Sequence, residues 1–343
     1  MRHRTNLTLL FSILLLLSVS FGAIAQDKDD DKGKKGKKEM PAGTPILWTE
    51  PTDIASRNLL IGPGGEEMKP DVSRVTFIKE EKGGYSKKYR VKDAKGRVWV
   101  AKIGKEAQSE TAAVRLVWAA GYVTEVNYLV PSLTIDGKGT FENVRLEARP
   151  ENVERFDEWM WTSNPFAGKR ELQGLKVLMA LMENWDLKDE NNKIIAVQNG
   201  GRTELHYIVS DLGTTFGKTG GQNGPVARFK KVKGSRNEPG DYVNDKFING
   251  VEGNIVLLDY EGKNTDMMRD ISIADARWVG GLLSRLSDAQ IQDAFRAANY
   301  SADQVRMLSD AVKKRINELV NLQPGSAVSK TEKPQTGLQD SHD

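Results

Sequence analysis

The chain lacks cysteine entirely, and its 343 residues include only three histidines. Without cysteine there is neither a disulfide framework nor the lipid-bearing cysteine of a lipoprotein. His206 is the only histidine away from the chain ends. The sequence therefore also excludes histidine-based metal centres and Ser-His-Asp triads.

The chain also lacks a strong net charge, since 50 basic residues face 47 acidic ones. A field this weak attracts neither nucleic acid nor anionic lipid strongly, so we expect no nucleic-acid partner.

Only one long hydrophobic run is present, and it lies at the start of the chain. Residues 5–25 are uncharged, follow Arg2 and Arg4, and end in Ala23-Ile24-Ala25. A basic start, a Leu-rich middle and small residues before a cleavage point are typical of a secretory signal. We therefore expect residues 1–25 to be removed and the protein to be exported, to the periplasm or beyond, without a membrane span. An uncleaved membrane anchor is the alternative.

Both ends of the mature chain are polar. Residues 26–44 are dense in charge with nothing to bury, which predicts a disordered linker, and residues 323–343 form a similar tail. Between them the 38% hydrophobic content is enough for one large bilobed domain or two small ones. We place the boundary between a first part, 45–148, and a second, 149–322.

The first part reads mainly as β-strands. Residues 46–71 are irregular, and Ser109 is the predicted N-cap of a single helix that stops at Gly121. The predicted strands are 74–80, 87–92, 97–103, 128–135 and 140–148.

The second part reads mainly as helices, interrupted by one hairpin. Apolar spacing predicts helices over 170–183, 272–284, 288–298 and 302–321. Two strands, 194–197 and 205–209, flank a turn at Asn199-Gly200-Gly201-Arg202.

Two polar segments flank that hairpin and contain the residues of greatest chemical interest. Before it lies Asn184-Trp185-Asp186-Leu187-Lys188-Asp189-Glu190-Asn191, and after it lies Ser210-Asp211-Leu212-Gly213. Phosphoryl transfer needs such a set: a carboxylate to orient a hydroxyl, a cation for the phosphoryl charge, and amide and carboxylate oxygens for Mg²⁺. An ordinary polar surface loop is the alternative.

The two segments resemble the catalytic loop of protein kinases, D-x-K-x-x-N, and a D-L-G form of their metal-binding D-F-G. Asn184, two residues before Asp186, is similar to the N-x-D of HipA-like bacterial kinases, which with phosphoinositide kinases form the atypical branch of that superfamily. The region 46–71 also resembles a set of exported, mostly uncharacterised bacterial kinase-like proteins.

That resemblance implies an α+β, bilobed fold with a β-rich N-lobe containing one main helix and a mostly helical C-lobe. It implies that Asp186 orients the acceptor hydroxyl and Lys188 contacts the transferring phosphoryl group. Asn191 and Asp211 would bind Mg²⁺ or Mn²⁺.

The resemblance extends to the β-rich part. Lys102, in the apolar strand Val98–Ile103, would hold the nucleotide phosphates and pair with Glu110 of the helix. A strand-end lysine reaching water and a helix-terminal acid are the alternatives. Gly83, Gly84 and Ser86 lie where a loop could cover phosphates, although a two-glycine hairpin turn explains them equally well.

Residues 217–245 correspond in position to an activation segment. They could receive an acidic or phosphorylated acceptor through Arg228, Lys230 and Lys231; a long surface loop is the alternative.

The sequence thus favours an exported kinase-like phosphotransferase that uses ATP, or another nucleoside triphosphate, with Mg²⁺ on an unknown hydroxyl acceptor. ATP is scarce outside the cytoplasm, so the rival is a pseudokinase, a binding module of the same fold. An extracellular β-rich adhesion module would require the predicted helices to be absent.

Overall fold

The computed structural model describes residues 39–83, 86–151, 153–156, 158–220 and 234–325. Within these ranges the strands are β1 Thr44–Ile46, β2 Thr76–Glu81, β3 Lys87–Lys92, β4 Val98–Ile103, β5 Asn127–Ile135, β6 Gly139–Ala148, β7 Glu154–Arg155, β8 Asn192–Asn199, β9 Arg202–Val209, β10 Ile248–Glu252 and β11 Ile255–Leu258. The α-helices are α1 Glu106–Ala119, α2 Arg170–Leu181, α3 Pro239–Asn244, α4 Ile273–Leu283, α5 Asp288–Arg296 and α6 Ala302–Val320. Short 3-10 turns are at Ile54–Ser56, Asp189–Asn191 and Thr265–Met268.

The first lobe is an antiparallel sheet of five strands in the order β2-β3-β4-β6-β5. Its own small core includes Trp99 and Ala101 of β4. Because side chains alternate along a strand, Val100 and Lys102 lie on the opposite face of β4. That face carries α1, which contacts β4, β5 and β6. The sheet thus directs Lys102 towards α1 and away from the core of the sheet.

The second lobe contains a small sheet in the order β1-β9-β8-β7. β8 and β9 form an antiparallel hairpin in which Asn192 is paired with Val209. The residues on either side of the hairpin, Asn191 and Ser210, are consequently neighbours. β1 pairs in parallel with β9, with Ile46 opposite His206.

Helices make up most of the rest of the second lobe. α2 buries most of its length and packs against α4; α4 packs against α6, which in turn packs against α5. Ser287 and Ser301 begin α5 and α6 with capping boxes completed by Gln290 and Gln304. Among the helices of the described ranges, none is long and apolar enough to cross a membrane.

The predicted α+β class with a β-rich lobe followed by a mostly helical lobe is confirmed. The strands and helices predicted from periodicity are present within a few residues of their expected bounds. The prediction that Ser109 caps the first helix is wrong, because α1 begins three residues earlier, at Glu106. Thr44, assigned to the linker, begins β1, and β7, α3 and the β10–β11 hairpin had no counterpart in the sequence prediction.

Candidate active site

The β8–β9 hairpin brings the two polar segments together. The carbonyl oxygen of Asn191 accepts hydrogen bonds from the backbone N–H groups of Ser210 at 2.8 Å and Asp211 at 3.3 Å. The Asn191 side-chain Nδ2 donates to the backbone oxygen of Asp186 at 2.6 Å and lies 3.3 Å from its Oδ2. Asp186, Asn191 and Asp211 therefore belong to one cluster.

Lys188 folds back onto the carboxylate of Asp186. Its Nζ lies 2.9 Å from Oδ1 and 3.0 Å from Oδ2. The hydrogen bond that Lys188 donates to the Asp186 carboxylate raises the pKa of Lys188, and the nearby charge of Asp211 contributes in the same direction. A half-exposed ammonium that favours its charged form thus lies beside the carboxylate predicted to orient the acceptor.

Asn184 connects the two polar segments on their buried side. Its buried side chain accepts a hydrogen bond from Thr214 Oγ1 at 2.5 Å and approaches the backbone oxygen of Asp211 at 3.5 Å. Its own backbone oxygen accepts from the Tyr260 hydroxyl at 2.9 Å. Asn184 therefore positions the Asp211 turn; the sequence marked this residue only through its similarity to the N-x-D pattern and did not predict a role for it.

Lys102 reaches this cluster from the first lobe. Its Nζ lies 3.3 Å from Asp211 Oδ1, 2.8 Å from Glu110 Oε2 and 2.9 Å from Glu106 Oε2. Only 2% of the Lys102 side chain is exposed. Burial alone would lower the pKa of this lysine, but Glu110, Asp211 and Glu106 together raise it above its usual value, so Lys102 stays charged.

The three carboxylates around Lys102 differ in how they are held. Burial raises the pKa of Glu110, although Arg145 at 3.2 Å and Lys102 oppose that effect. Burial also acts on Asp211, but Lys102 and the Gly213 backbone N–H outweigh it and lower the pKa of Asp211. Glu110 is consequently fixed in the interior, whereas Asp211 favours its ionised, metal-binding form.

Glu106 is a site residue that the sequence did not predict. Gly104 has a φ of 115°, which allows the chain to turn directly from β4 into α1. This turn places Glu106, four residues after Lys102, in the first turn of the helix and against the ammonium. An acid four residues beyond a strand lysine, just past a glycine, was the available signal.

The predicted glycine turn is described only in part. Gly83 has a φ of 111°, which favours glycine, and Gly84 lies outside the described residues. Ser86 Oγ donates a hydrogen bond to Glu106 Oε2 at 2.7 Å. The structure thus brings Ser86 to the Lys102 cluster.

The described end of the predicted activation segment contacts the residues around Lys102. Residues 221–233, with Arg228, Lys230 and Lys231, lie outside the described ranges. Just after them, the Arg236 guanidinium contacts Glu106, and Asn237 Nδ2 donates to the backbone oxygen of Lys105 at 2.8 Å. This part of the second lobe therefore contacts the start of α1 directly.

The donor set fits a Mg²⁺ ion bound jointly with phosphate. In the described ranges, no group of three or more His, Cys, Asp or Glu side chains is arranged to hold a metal by itself. Asn191 donates through Nδ2, so its Oδ1 remains for a cation, and Asp211 keeps Oδ2 while Oδ1 accepts from Gly213 N at 3.1 Å. Two protein oxygens plus water and phosphate oxygens are the usual ligands of Mg²⁺ in nucleotide sites.

No protein-family model matches the chain, and no curated protein matches it either. Among solved structures it is similar to the Helicobacter pylori proinflammatory kinase CtkA, with 12% identity and a TM-score of 0.45 over 73% of this chain and 95% of that one. It is also similar to the Rio2 kinase of Chaetomium thermophilum in an ADP/Mg²⁺–phosphoaspartate complex, with 11% identity, a TM-score of 0.29, and 72% of each chain covered. A third is hydra Fam20 with sugar, with 11% identity and a TM-score of 0.27 over 74% of this chain and 88% of that one. Likeness this distant says nothing about function, which has to be argued from the residues of this chain.

Proposed function

We propose that the chain is a kinase-like phosphotransferase. It binds ATP or another nucleoside triphosphate with Mg²⁺ or Mn²⁺ between its lobes and transfers a phosphoryl group to a hydroxyl acceptor. The observation that supports this most is the 3.3 Å contact between Lys102 of the first lobe and Asp211 of the second, beside Asp186 and Asn191.

In this proposal each residue has a separate task. Lys102, held by Glu110, binds the phosphates of the nucleotide. Asn191 and Asp211 hold the cation, which neutralises charge on the phosphates when it is bound. Asp186 accepts the proton of the acceptor hydroxyl. The hydroxyl oxygen forms a bond to the terminal phosphorus, while the bond between that phosphorus and the departing nucleoside diphosphate breaks. Lys188 offsets the charge on the group in transit.

We also infer that the protein acts outside the cytoplasm, from the signal-like sequence of residues 1–25. These residues lie outside the described ranges, and sequencing the N-terminus of the mature protein tests the inference. Since ATP is scarce there, the donor nucleotide has to be supplied to the enzyme.

One observation favours the rival binding module. All three carboxylates near Lys102 lie within hydrogen-bonding or ion-pair distance of its ammonium, which has three N–H donors. A site that never released one of them would not bind phosphate and would not catalyse transfer.

The first prediction separates these two functions by mutating two carboxylates with different tasks. Asp211→Ala should abolish Mg²⁺-dependent ATP binding with the fold intact, because Asp211 holds the cation. Asp186→Asn should spare ATP binding but lower turnover about 10²–10⁴-fold, because it contacts only the acceptor. Thermal shift measures binding, since a ligand at about 100 times its Kd stabilises by about 2.7 kcal/mol.

Turnover is measured as autophosphorylation or nucleotide hydrolysis with Mg²⁺ and Mn²⁺. Asp266→Ala, at a side chain that is 87% exposed, is the matched control and should change neither property. Wild-type protein that binds ATP but turns over no faster than the Asp186→Asn variant would be a binding module.

A further inference from the structure

The carboxylate of Glu106 is surrounded by groups that bind phosphate well. Lys102 Nζ lies 2.9 Å from Oε2, Ser86 Oγ donates to the same oxygen at 2.7 Å, and the Arg236 guanidinium contacts Oε1. An ammonium, a hydroxyl and a guanidinium come here from three separate segments of the chain. Together they form a compact anion site, which one of the protein's own carboxylates fills.

The donors of Lys102 show that this carboxylate competes with any phosphate. An ammonium has three N–H groups, and Glu106, Glu110 and Asp211 all lie within 3.3 Å of it. A phosphate oxygen can reach Lys102 with full hydrogen bonding only if one carboxylate withdraws. A nearby ionised carboxylate would also repel the phosphate.

Glu106 is the carboxylate that can withdraw. Glu110 is only 1% exposed and is held from its other oxygen by Arg145 at 3.2 Å. Asp211 is fixed by the Gly213 backbone N–H and is needed for the cation. Glu106 lies in the first turn of α1 with 6% of its side chain exposed, and besides Lys102 its carboxylate contacts the Ser86 hydroxyl and the Arg236 guanidinium.

Arg236 is held in this region by contacts that do not involve Glu106. Its guanidinium lies 5.8 Å from the ring centroid of Trp185, next to Asp186 in the chain. The indole Nε1 of Trp185 donates to the backbone oxygen of Ser235 at 2.9 Å, which fixes the residue before Arg236. Arg236 would thus remain in place after Glu106 leaves.

We propose that Glu106 occupies a phosphate-binding site formed by Lys102, Ser86 and Arg236, and that a phosphate group of the nucleotide replaces its carboxylate there. The proposal rests on the proposed function and adds Arg236 to it as a second phosphate-binding cation. The exchange is one anion for another, so the three donors keep their partners. A ligand therefore binds there only if its phosphate group interacts more strongly with these three donors than the Glu106 carboxylate does.

Two substitutions in the full chain test this exchange by calorimetric titration with ATP, pyrophosphate and adenosine. Glu106→Gln keeps the size of the side chain but removes its charge, so ATP and pyrophosphate should bind about tenfold tighter or more. Arg236→Gln removes a charged donor, so both should bind about tenfold weaker, the loss expected for one charge-assisted hydrogen bond. Adenosine, which has no phosphate, should bind both variants as it binds the wild type.

The matched controls are Glu318→Gln and Arg269→Gln, whose side chains are 35% and 74% exposed in the second lobe, and neither should change any affinity. If the wild type and Glu106→Gln both fail to bind ATP, the proposed function and this inference fail together. If the wild type binds ATP but Glu106→Gln binds it no tighter and Arg236→Gln no weaker, only this inference is wrong. If Glu106→Gln does not fold, the affinities of Arg236→Gln for ATP and pyrophosphate alone test this inference.

Discussion

Gly213 packs closely against Glu106 and Lys102. A Cβ atom at this position would lie 2.8 Å from Cβ of Glu106 and 3.1 Å from Nζ of Lys102. The first distance is shorter than van der Waals contact allows, and Glu106 is held on its other side by Ser86. The glycine after Asp211 and Leu212 is therefore required by close approach of the two lobes.

Gly213→Ala should destabilise the protein by about 1–3 kcal/mol, the usual cost of overpacking, and should weaken ATP binding because Lys102 is displaced from Asp211. Urea unfolding measures the first effect and thermal shift the second. Gly281→Ala is the control: it lies in α4 with nothing within 4 Å of the added Cβ, and should stabilise by up to about 1 kcal/mol. Equal effects of the two substitutions would show that Gly213 is not crowded.

Single residues were predictable where a spacing pattern marked them. Asp186, Asn191 and Asp211 lie together because they flank one hairpin, which the alternating strands and the Gly-Gly turn indicated. Glu106 was missed because Ser109 is a typical helix cap. In the structure, Ser109 Oγ instead donates to the backbone oxygen of Gly213 at 2.8 Å, a contact 104 residues away in the chain. A local sequence pattern does not reveal contacts between residues so far apart in the chain.

Among the elements, α6 has an unexpected connection to the end of α2, just before the polar segment 184–191. Arg315 of α6 is buried and donates to Glu183 Oε1 at 2.7 Å and to the backbone oxygen of Leu181 at 2.8 Å. Glu183 itself has a φ of 58°, a left-handed conformation that is uncommon for glutamate. The end of α2 and the residue before the polar segment 184–191 are thus held by a helix that lies more than a hundred residues later in the chain.

The contribution of Glu183 to the stability of the folded protein depends on pH. Burial raises its pKa to about 8 in the folded state, despite the opposing attraction of Arg315, from an ordinary value of 4.5. The folded protein therefore binds a proton more tightly than the unfolded chain, so this contribution to stability is complete below about pH 4.5 and is lost as pH rises towards about 8.

Glu183→Gln stays neutral at every pH, so this variant should not lose stability through residue 183 as the pH rises. The free energy of unfolding of the wild type, measured in urea from pH 5 to pH 8.5, should fall relative to that of Glu183→Gln as the pH rises. Glu318→Gln on the surface of α6 is the control and should run parallel to the wild type. A difference between wild type and Glu183→Gln that is independent of pH would mean that Glu183 ionises normally in the folded state.

Element types were largely predictable, whereas their pairing was not. Periodicity identifies α2, α4, α5 and α6, because each has one apolar face. β1 was not predicted, because its three residues, Thr44–Ile46, form no pattern, and only the pairing with the distant β9 makes them a strand. The strands of the β10–β11 hairpin are also short, at five and four residues.

At the scale of the whole molecule, α1 belongs to both lobes. It follows β4 and contacts three strands of the first sheet, yet its buried residues, including Leu116 and Val117, are part of the large hydrophobic core shared with α2, α4 and α6. Gln108 of α1 also donates to the backbone oxygens of Ala298 and Asn299 at 3.1 Å. The lobes are therefore connected by a common core as well as by the chain, and Lys102 and Asp211 meet at its edge.

A shared core predicts that the lobes unfold together. Leu116 is fully buried in α1, so Leu116→Ala should cost about 2–5 kcal/mol. Hydrogen exchange should show the same loss of protection in β6 of the first lobe and α6 of the second, because both depend on α1. Leu257→Ala, at a side chain that is 40% exposed, is the control and should change protection little in either lobe. Loss of protection in α6 with β6 unchanged, or the reverse, would show that each lobe is stable without the other and that the contact between Lys102 and Asp211 joins two independently folding parts.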